Sequence, residues 1–183
     1  LFILFLFVQT YTYGQLQISV GKQSPQITIT DWISNIPKDT SLKNKFIVLE
    51  FWATWCGPCI AAVPHMNSLQ SKFKMPNLYF ISITDESREK VERILKRIEF
   101  NSIVVSDQSN STHIKFGDGK EGLKNIPLTV LIDNKGIVSW IGHPQNLSES
   151  IIADFIKGKK IIENEVKSDL ASLNPSINQR DKD

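Results

Sequence analysis

The chain has 183 residues, with 21 Lys or Arg against 19 Asp or Glu and a formal net charge of +2. That length suffices for one domain with a substantial core and some chain to spare. The near-neutral balance gives no argument for a nucleic-acid or strongly acidic partner, and the mixed charges of residues 88–93 suit a solvated helix face rather than a basic binding stripe.

Residues 1–8 are an uncharged run of Leu, Phe, Ile and Val, followed by a polar stretch with Gly14. The run is short of the roughly 20 residues that a membrane-spanning helix needs. It matches the apolar region of a secretory signal, with Gly14 near a cleavage point. The expectation is a partial export leader over residues 1–15, its start lying ahead of Leu1. No cysteine follows the run, so a lipid anchor is not expected. The alternative is a buried N-terminal strand. The expected compartment is the periplasm, or otherwise outside the cytoplasm, where disulfides persist.

Residues 21–25, with Gly21 and Pro25, predict a turn. Residues 26–30 alternate polar and apolar and predict a half-buried strand. Residues 32–41, with Pro37, read as a connection. Residues 46–52 are nearly all apolar and predict a central strand covered on both faces. From 59 to 73 the apolar positions Ile60, Val63, Met66, Leu69 and Phe73 follow helical spacing, with Pro64 expected to kink the helix.

Residues 77–84 predict a second buried strand. A helix over 86–99, capped by Thr84 or Asp85, follows from Val91, Ile94, Leu95 and Ile98. Residues 103–105 predict a short strand. Residues 106–124 are polar and Gly-rich, with a short helix near 113–116. Asn134-Lys135-Gly136 between two apolar runs, 128–133 and 137–141, predicts a hairpin. Residues 147–157 predict a last amphipathic helix capped by Asn146 or Ser148.

Alternating strands and helices that end in a hairpin and a helix give an α/β layered fold with a mixed sheet. The domain is expected over residues 16–157. Residues 158–183 read as a tail, with one short helix through Ile161, Ile162, Val166 and Leu170 and then disorder.

Both cysteines of the chain sit in Trp55-Cys56-Gly57-Pro58-Cys59, directly after the central apolar run. A buried strand that ends in Cys-x-x-Cys and enters a helix reads as a thiol–disulfide redox site. The first cysteine lies where free N–H groups and the positive end of the helix dipole favour a thiolate. A zinc site needs four ligands, and there is neither a second Cys-x-x-Cys nor a His pair of finger-like spacing among His65, His113 and His143. A static structural disulfide over so short a loop removes little chain entropy. Glu50 interrupts an otherwise apolar strand six residues before Cys56, where burial should raise its pKa. The alternative is a Glu that snorkels to the strand edge.

Residues 48–59 with Pro64, then Asn125-Ile126-Pro127 through Asp133 with Gly136 and Gly142, resemble the two signatures of thioredoxin-fold oxidoreductases. The Phe51-Trp52-Ala53-Thr54-Trp55-Cys56 string and the export leader are most similar to the exported TlpA/ResA type. The resemblance spans about residues 20–157. It implies a thioredoxin fold, a central mixed sheet flanked by helices.

The resemblance also implies roles. Cys56 would be the exposed attacking thiolate and Cys59 the more buried resolving thiol. Pro127 would be a cis proline facing the cysteines, turning the Ile126 backbone toward an extended substrate segment. Glu50 would move the proton of Cys59. Trp55, Gly57, Pro58, Ile126 and Pro127 would form the substrate surface, with Trp52 also flanking the site. The TlpA/ResA type commonly carries a Glu three residues after the second cysteine, and here that residue is Ala62. This departure sets a role in cytochrome maturation in question.

Gly57-Pro58 matches the reducing thioredoxins, so the expected activity is reduction of disulfides in partner proteins, with a membrane or periplasmic electron donor. No metal, no organic cofactor and a monomeric state are expected. The rivals are an oxidase or isomerase of the same fold, and a binding module with an inert disulfide. A thiol peroxidase would need Pro-x-x-x-Thr/Ser-x-x-Cys, which is absent before Cys56.

Overall fold

The computed structural model describes residues 18–117, 122 and 125–161. The expected leader, and the tail helix beyond Ile161, lie outside these residues. The elements run β1 (Asp31–Ser34), β2 (Phe46–Phe51), α1 (Gly57–Lys72), β3 (Leu78–Thr84), α2 (Arg88–Leu95), β4 (Ile103–Ser106), α3 (Ser111–Phe116), β5 (Leu128–Ile132), β6 (Val138–Gly142), a 3-10 turn (Pro144–Asn146) and α4 (Glu149–Ile156).

Six strands form one sheet in the order β1-β4-β3-β2-β5-β6. β2, β3 and β4 run parallel, while β1, β5 and β6 are antiparallel to their neighbours. β2 and β3 are buried along their whole length, as their near-continuous apolar sequences require for central strands covered on both faces.

Side chains alternate between the two faces. Ile47, Leu49 and Phe51 of β2 join Ile81, Ile83, Val105 and Phe116 in one cluster. Phe46 and Val48 point the other way, into a second cluster with Met66 and Leu69 of α1 and Ile151, Ile152 and Phe155 of α4. A third cluster joins Trp52, Cys56, Cys59, Val63, Val91 and Phe100. Glu50 shares its face with Val48, beneath α1.

Several expectations need correction. Residues 26–30 do not form a ladder strand. Ile27 and Ile29 pack against the first cluster as their alternation suggests. Their backbone, however, bonds to side chains and loop ends, with Thr28 N–H donating to Thr112 Oγ1 at 2.8 Å. The first strand is Asp31–Ser34, most of it inside the segment expected to be a connection.

The second helix starts later than expected, with Ser87 and not Thr84 or Asp85 at its N-cap, and it ends at Leu95. α1 runs unbroken across Pro64 from Gly57 to Lys72. The hairpin is as predicted. Asp133 Oδ1 accepts from the N–H groups of Lys135 and Ile137, and Gly136 takes the φ of +83° that the turn demands.

Candidate functional site

The sheet topology brings the site together. β2 ends at Phe51, and its ladder continues to Trp52, whose N–H donates to Ile83 O at 3.1 Å. Residues 52–55 then turn into α1. Because β5 runs antiparallel to β2, with Phe51 opposite Leu128, the start of β5 lies beside the end of β2. Residues 126 and 127 thereby meet the cysteines although 70 residues of sequence separate Cys56 from Ile126.

Cys56 and Cys59 form a disulfide with Cα atoms 5.3 Å apart. Cys56 is the N-cap of α1, in an extended conformation, and its Sγ accepts from Cys59 N–H at 3.3 Å. The sulfur thus takes the place of the usual Ser or Asp oxygen at a helix start, where an anion is favoured. Gly57 and Pro58 fill the first turn and are exposed, and a proline there lacks only an N–H that has no partner in the helix. The same Cys56 Sγ lies 3.8 Å from the Ile126 carbonyl oxygen, and the Ile126–Pro127 peptide bond is cis.

The two cysteines differ less in exposure than expected. Cys56 is 4 % exposed and Cys59 1 %. The first cysteine is buried in the oxidised form because it packs in the third cluster with Trp52, Cys59 and Val63, with Ile126 against it. The two tryptophans part ways. Trp52 is buried, 4.7 Å from the Phe100 ring, and Trp55 is 74 % exposed beside the disulfide. Trp55 is therefore a surface of the site and Trp52 a part of its floor.

Glu50 is buried, and burial pushes its carboxyl up to about 7, against the opposing hydrogen bond from Ser82. Ser82 Oγ donates to Glu50 Oε2 at 3.1 Å, and Glu50 Oε1 has no hydrogen-bond partner. The snorkelling alternative is thereby set aside: β2 is central, and no edge lies within reach. Thr129, opposite Glu50 in β5, is also buried with its hydroxyl unpartnered.

Two features escaped the sequence reading. Glu86 is not a helix residue: its carboxylate clamps the turn before the cysteines, Oε2 accepting from Thr54 N–H at 2.5 Å and Oε1 from Thr54 Oγ1 at 2.9 Å. The other is a hydroxyl chain, Ser82 Oγ lying 2.7 Å from Ser102 Oγ. The signal available was a small polar residue inside an apolar strand, the same signal that marked Glu50. His65 Nε2 meets Leu147 O at 2.9 Å and His143 Nδ1 accepts from Gln145 N–H at 3.2 Å, so both serve the scaffold. Among the described residues, no group of three or more His, Cys, Asp or Glu is placed to hold a metal.

The family model described as AhpC/TSA family matches residues 20–141. A thiol-disulfide oxidoreductase ResA of Bacillus cereus is 28% identical over 135 residues, covering 73% of this chain and 75% of that protein. The thioredoxin-like protein YneN of Bacillus subtilis is 25% identical over 139 residues, covering 73% and 76%. Among solved structures, the thioredoxin domain of a thiol-disulfide oxidoreductase from Bacteroides vulgatus superposes with a TM-score of 0.60 at 17% identity, covering 76% of this chain and 99% of that one. A thiol-disulfide isomerase from Corynebacterium glutamicum gives 0.58 at 14% identity, covering 78% and 97%. At these identities the structures show the fold alone, and the fold is that of thioredoxin.

Proposed function

The chain belongs to the AhpC/TSA family, and we propose that within it this protein is an exported thiol–disulfide oxidoreductase of the ResA type that reduces disulfides in partner proteins. The observation that carries the reading is the Cys56 sulfur, held as the cap of α1 against the Ile126 carbonyl, with a buried carboxyl, Glu50, in the strand that leads into it. The relatives' names support the activity, and Gly57-Pro58 supports the reductive direction.

Reduced Cys56, a thiolate favoured by the helix start, attacks one sulfur of a substrate disulfide. The substrate's other sulfur leaves as a thiolate and takes a proton. Cys59, its proton passed to Glu50, attacks Cys56 Sγ. The mixed disulfide breaks, the second substrate thiol departs, and Cys56–Cys59 is oxidised while the substrate gains two electrons. An electron donor in the membrane or periplasm then re-reduces the pair. A general base works best with a pKa near the operating pH, which suits the Glu50 value of about 7. Ala62, fully buried in α1, brings no carboxyl of its own, which leaves the proton work to Glu50.

An extended substrate segment would lie along the Ile126–Pro127 backbone, with Trp55, Gly57 and Pro58 as the apolar rim. Residues 1–15 would direct export, residues 16–157 would form the catalytic domain, and residues 158–183 a tail. The protein would act as a monomer.

The decisive experiment is the equilibrium of Cys56–Cys59 with glutathione buffers, read by thiol alkylation. A potential near the thioredoxin value of about −270 mV supports the reductase, and one near about −120 mV makes the protein an oxidase instead. A pair that never exchanges removes the catalytic reading. In the same assay Cys59→Ser should trap a mixed disulfide that Cys56→Ser cannot form.

A further inference from the structure

We propose that Ser82 and Ser102 are positioning residues for Glu50, a reversible hydroxyl chain that gives the buried carboxyl a hydrogen-bond partner in both of its protonation states and so tunes the pH at which it changes state. This rests on the reading of Glu50 as the proton carrier for Cys59.

Glu50 and Ser82 are register partners on adjacent parallel strands, and Ser82 and Val104 are register partners on the next pair, so Ser102 stands two residues before Val104 on that face. Ser82 Oγ donates to Glu50 Oε2 at 3.1 Å and lies 2.7 Å from Ser102 Oγ, where either hydroxyl can be the donor. A hydroxyl has one proton to give. With Glu50 ionised, Ser82 spends its proton on the carboxylate, so Ser102 must donate to Ser82. With Glu50 protonated, the carboxylic O–H donates to Ser82, Ser82 donates to Ser102, and Ser102 turns its proton away. The chain therefore has two complete arrangements, one for each state of the carboxyl.

Ser102 is the outermost member, 7 % exposed against 1 % for Ser82. Its position is set from two sides. Asn35 Nδ2 donates to Phe100 O at 2.6 Å and to Ser102 O at 2.9 Å. From α1, Asn67 Oδ1 accepts from Asn101 N–H at 2.9 Å and Gln70 Nε2 donates to Asn101 O at 2.9 Å. The helix that begins with the redox pair thus also pins the far end of the chain.

Glu50 meets few other groups. Ser82 faces it from β3 and Thr129 from β5, and α1, which packs on the same face of β2, carries Cys59, titratable when reduced, and His65, turned to Leu147 O. Burial is the largest influence on the carboxyl, Ser82 opposes it, and no charged side chain contributes. One hydroxyl donor is the available counterweight to burial, and its own proton is directed by Ser102.

The test follows the Glu50 carboxyl itself by infrared difference spectroscopy across pH in the intact oxidised protein, with Glu50→Gln identifying its band. Ser82→Ala should raise the midpoint by about one pH unit, the shift expected when a carboxylate loses a hydrogen-bond donor. Ser102→Ala should raise it in the same direction by less, and Ser102→Thr, which keeps the hydroxyl, should restore it. A midpoint unmoved in Ser102→Ala, or a threonine no better than alanine, overturns the proposal. The reading beneath it is tested separately. If Glu50→Gln exchanges thiols with the pH profile of the unmodified protein, Glu50 is not the proton carrier, whatever the serine variants do to the band.

Discussion

Thr54 shows how little of an active-site turn is written in the residues that do the chemistry. Its N–H and hydroxyl both end on Glu86, which comes from the loop after β3 and is itself buried. Glu86→Ala would leave a backbone N–H and a hydroxyl without partners next to the redox pair. The expected cost is about 1–3 kcal/mol of stability, read as a lower denaturant midpoint of the oxidised protein, together with slower thiol exchange. Glu86→Gln keeps one acceptor oxygen and should recover part of both. Equal losses in the two variants would show that charge, not hydrogen bonding, holds the turn. The cysteines and Glu50 were legible because each stands out locally, two thiols at redox spacing and one carboxylate in an apolar strand. Glu86 was not, because a Glu before an amphipathic helix looks like an ordinary first-turn acid. Ser82 was hidden in a different way: its meaning depends on lying opposite Glu50, and register between strands 32 residues apart is set only by the folded sheet.

The same limit governs whole elements. Strongly patterned pieces were found at nearly their true bounds: the two central strands, the active-site helix, the hairpin and the last helix. The segment around 26–34 was shifted, since its alternation reports which side chains reach the core and not which backbone groups find a ladder. The start of α2 was misplaced because capping depends on side-chain geometry. Two caps separate the cases. Ser148 accepts from Ile151 N–H at 3.3 Å, whereas Ser87, equally well placed in sequence, makes no side-chain cap bond. Ser148→Ala should therefore destabilise the protein by about 1 kcal/mol, and Ser87→Ala by only a few tenths. Chemical denaturation of the two variants side by side checks this. A larger loss at Ser87 would mean that its hydroxyl, and not its backbone, anchors α2.

At the scale of the whole molecule, the sheet buries two titratable groups whose pH effects oppose each other. His113, packed edge-on to Phe51 at 5.0 Å, has its pKa lowered by burial, with Asp85 and Asp107 pulling the other way. The unfolded chain therefore binds a proton that the folded one refuses, and the stability His113 contributes is lost as pH falls below its unfolded value of about 6.5. Glu50 has the reverse sign. Its folded pKa of about 7 lies above the ordinary value of 4.5, so the folded state holds more protons between those limits. Stability falls as pH rises through that window and stays low above it. The full difference is about 3 kcal/mol, at 1.36 kcal/mol for each pKa unit.

Glu50→Gln removes this second slope and leaves the first. The variant should gain on the unmodified protein from about pH 4.5 to about pH 7 and level off above it, by up to about 3 kcal/mol, while losing the proposed proton carrier. Unfolding free energies of the oxidised forms at several pH values decide the matter. If the two curves run parallel, Glu50 folds with an ordinary carboxyl, and the central strand carries no such cost. If they diverge as expected, the central strand gives up stability at neutral pH at the position proposed to serve the redox pair as a base.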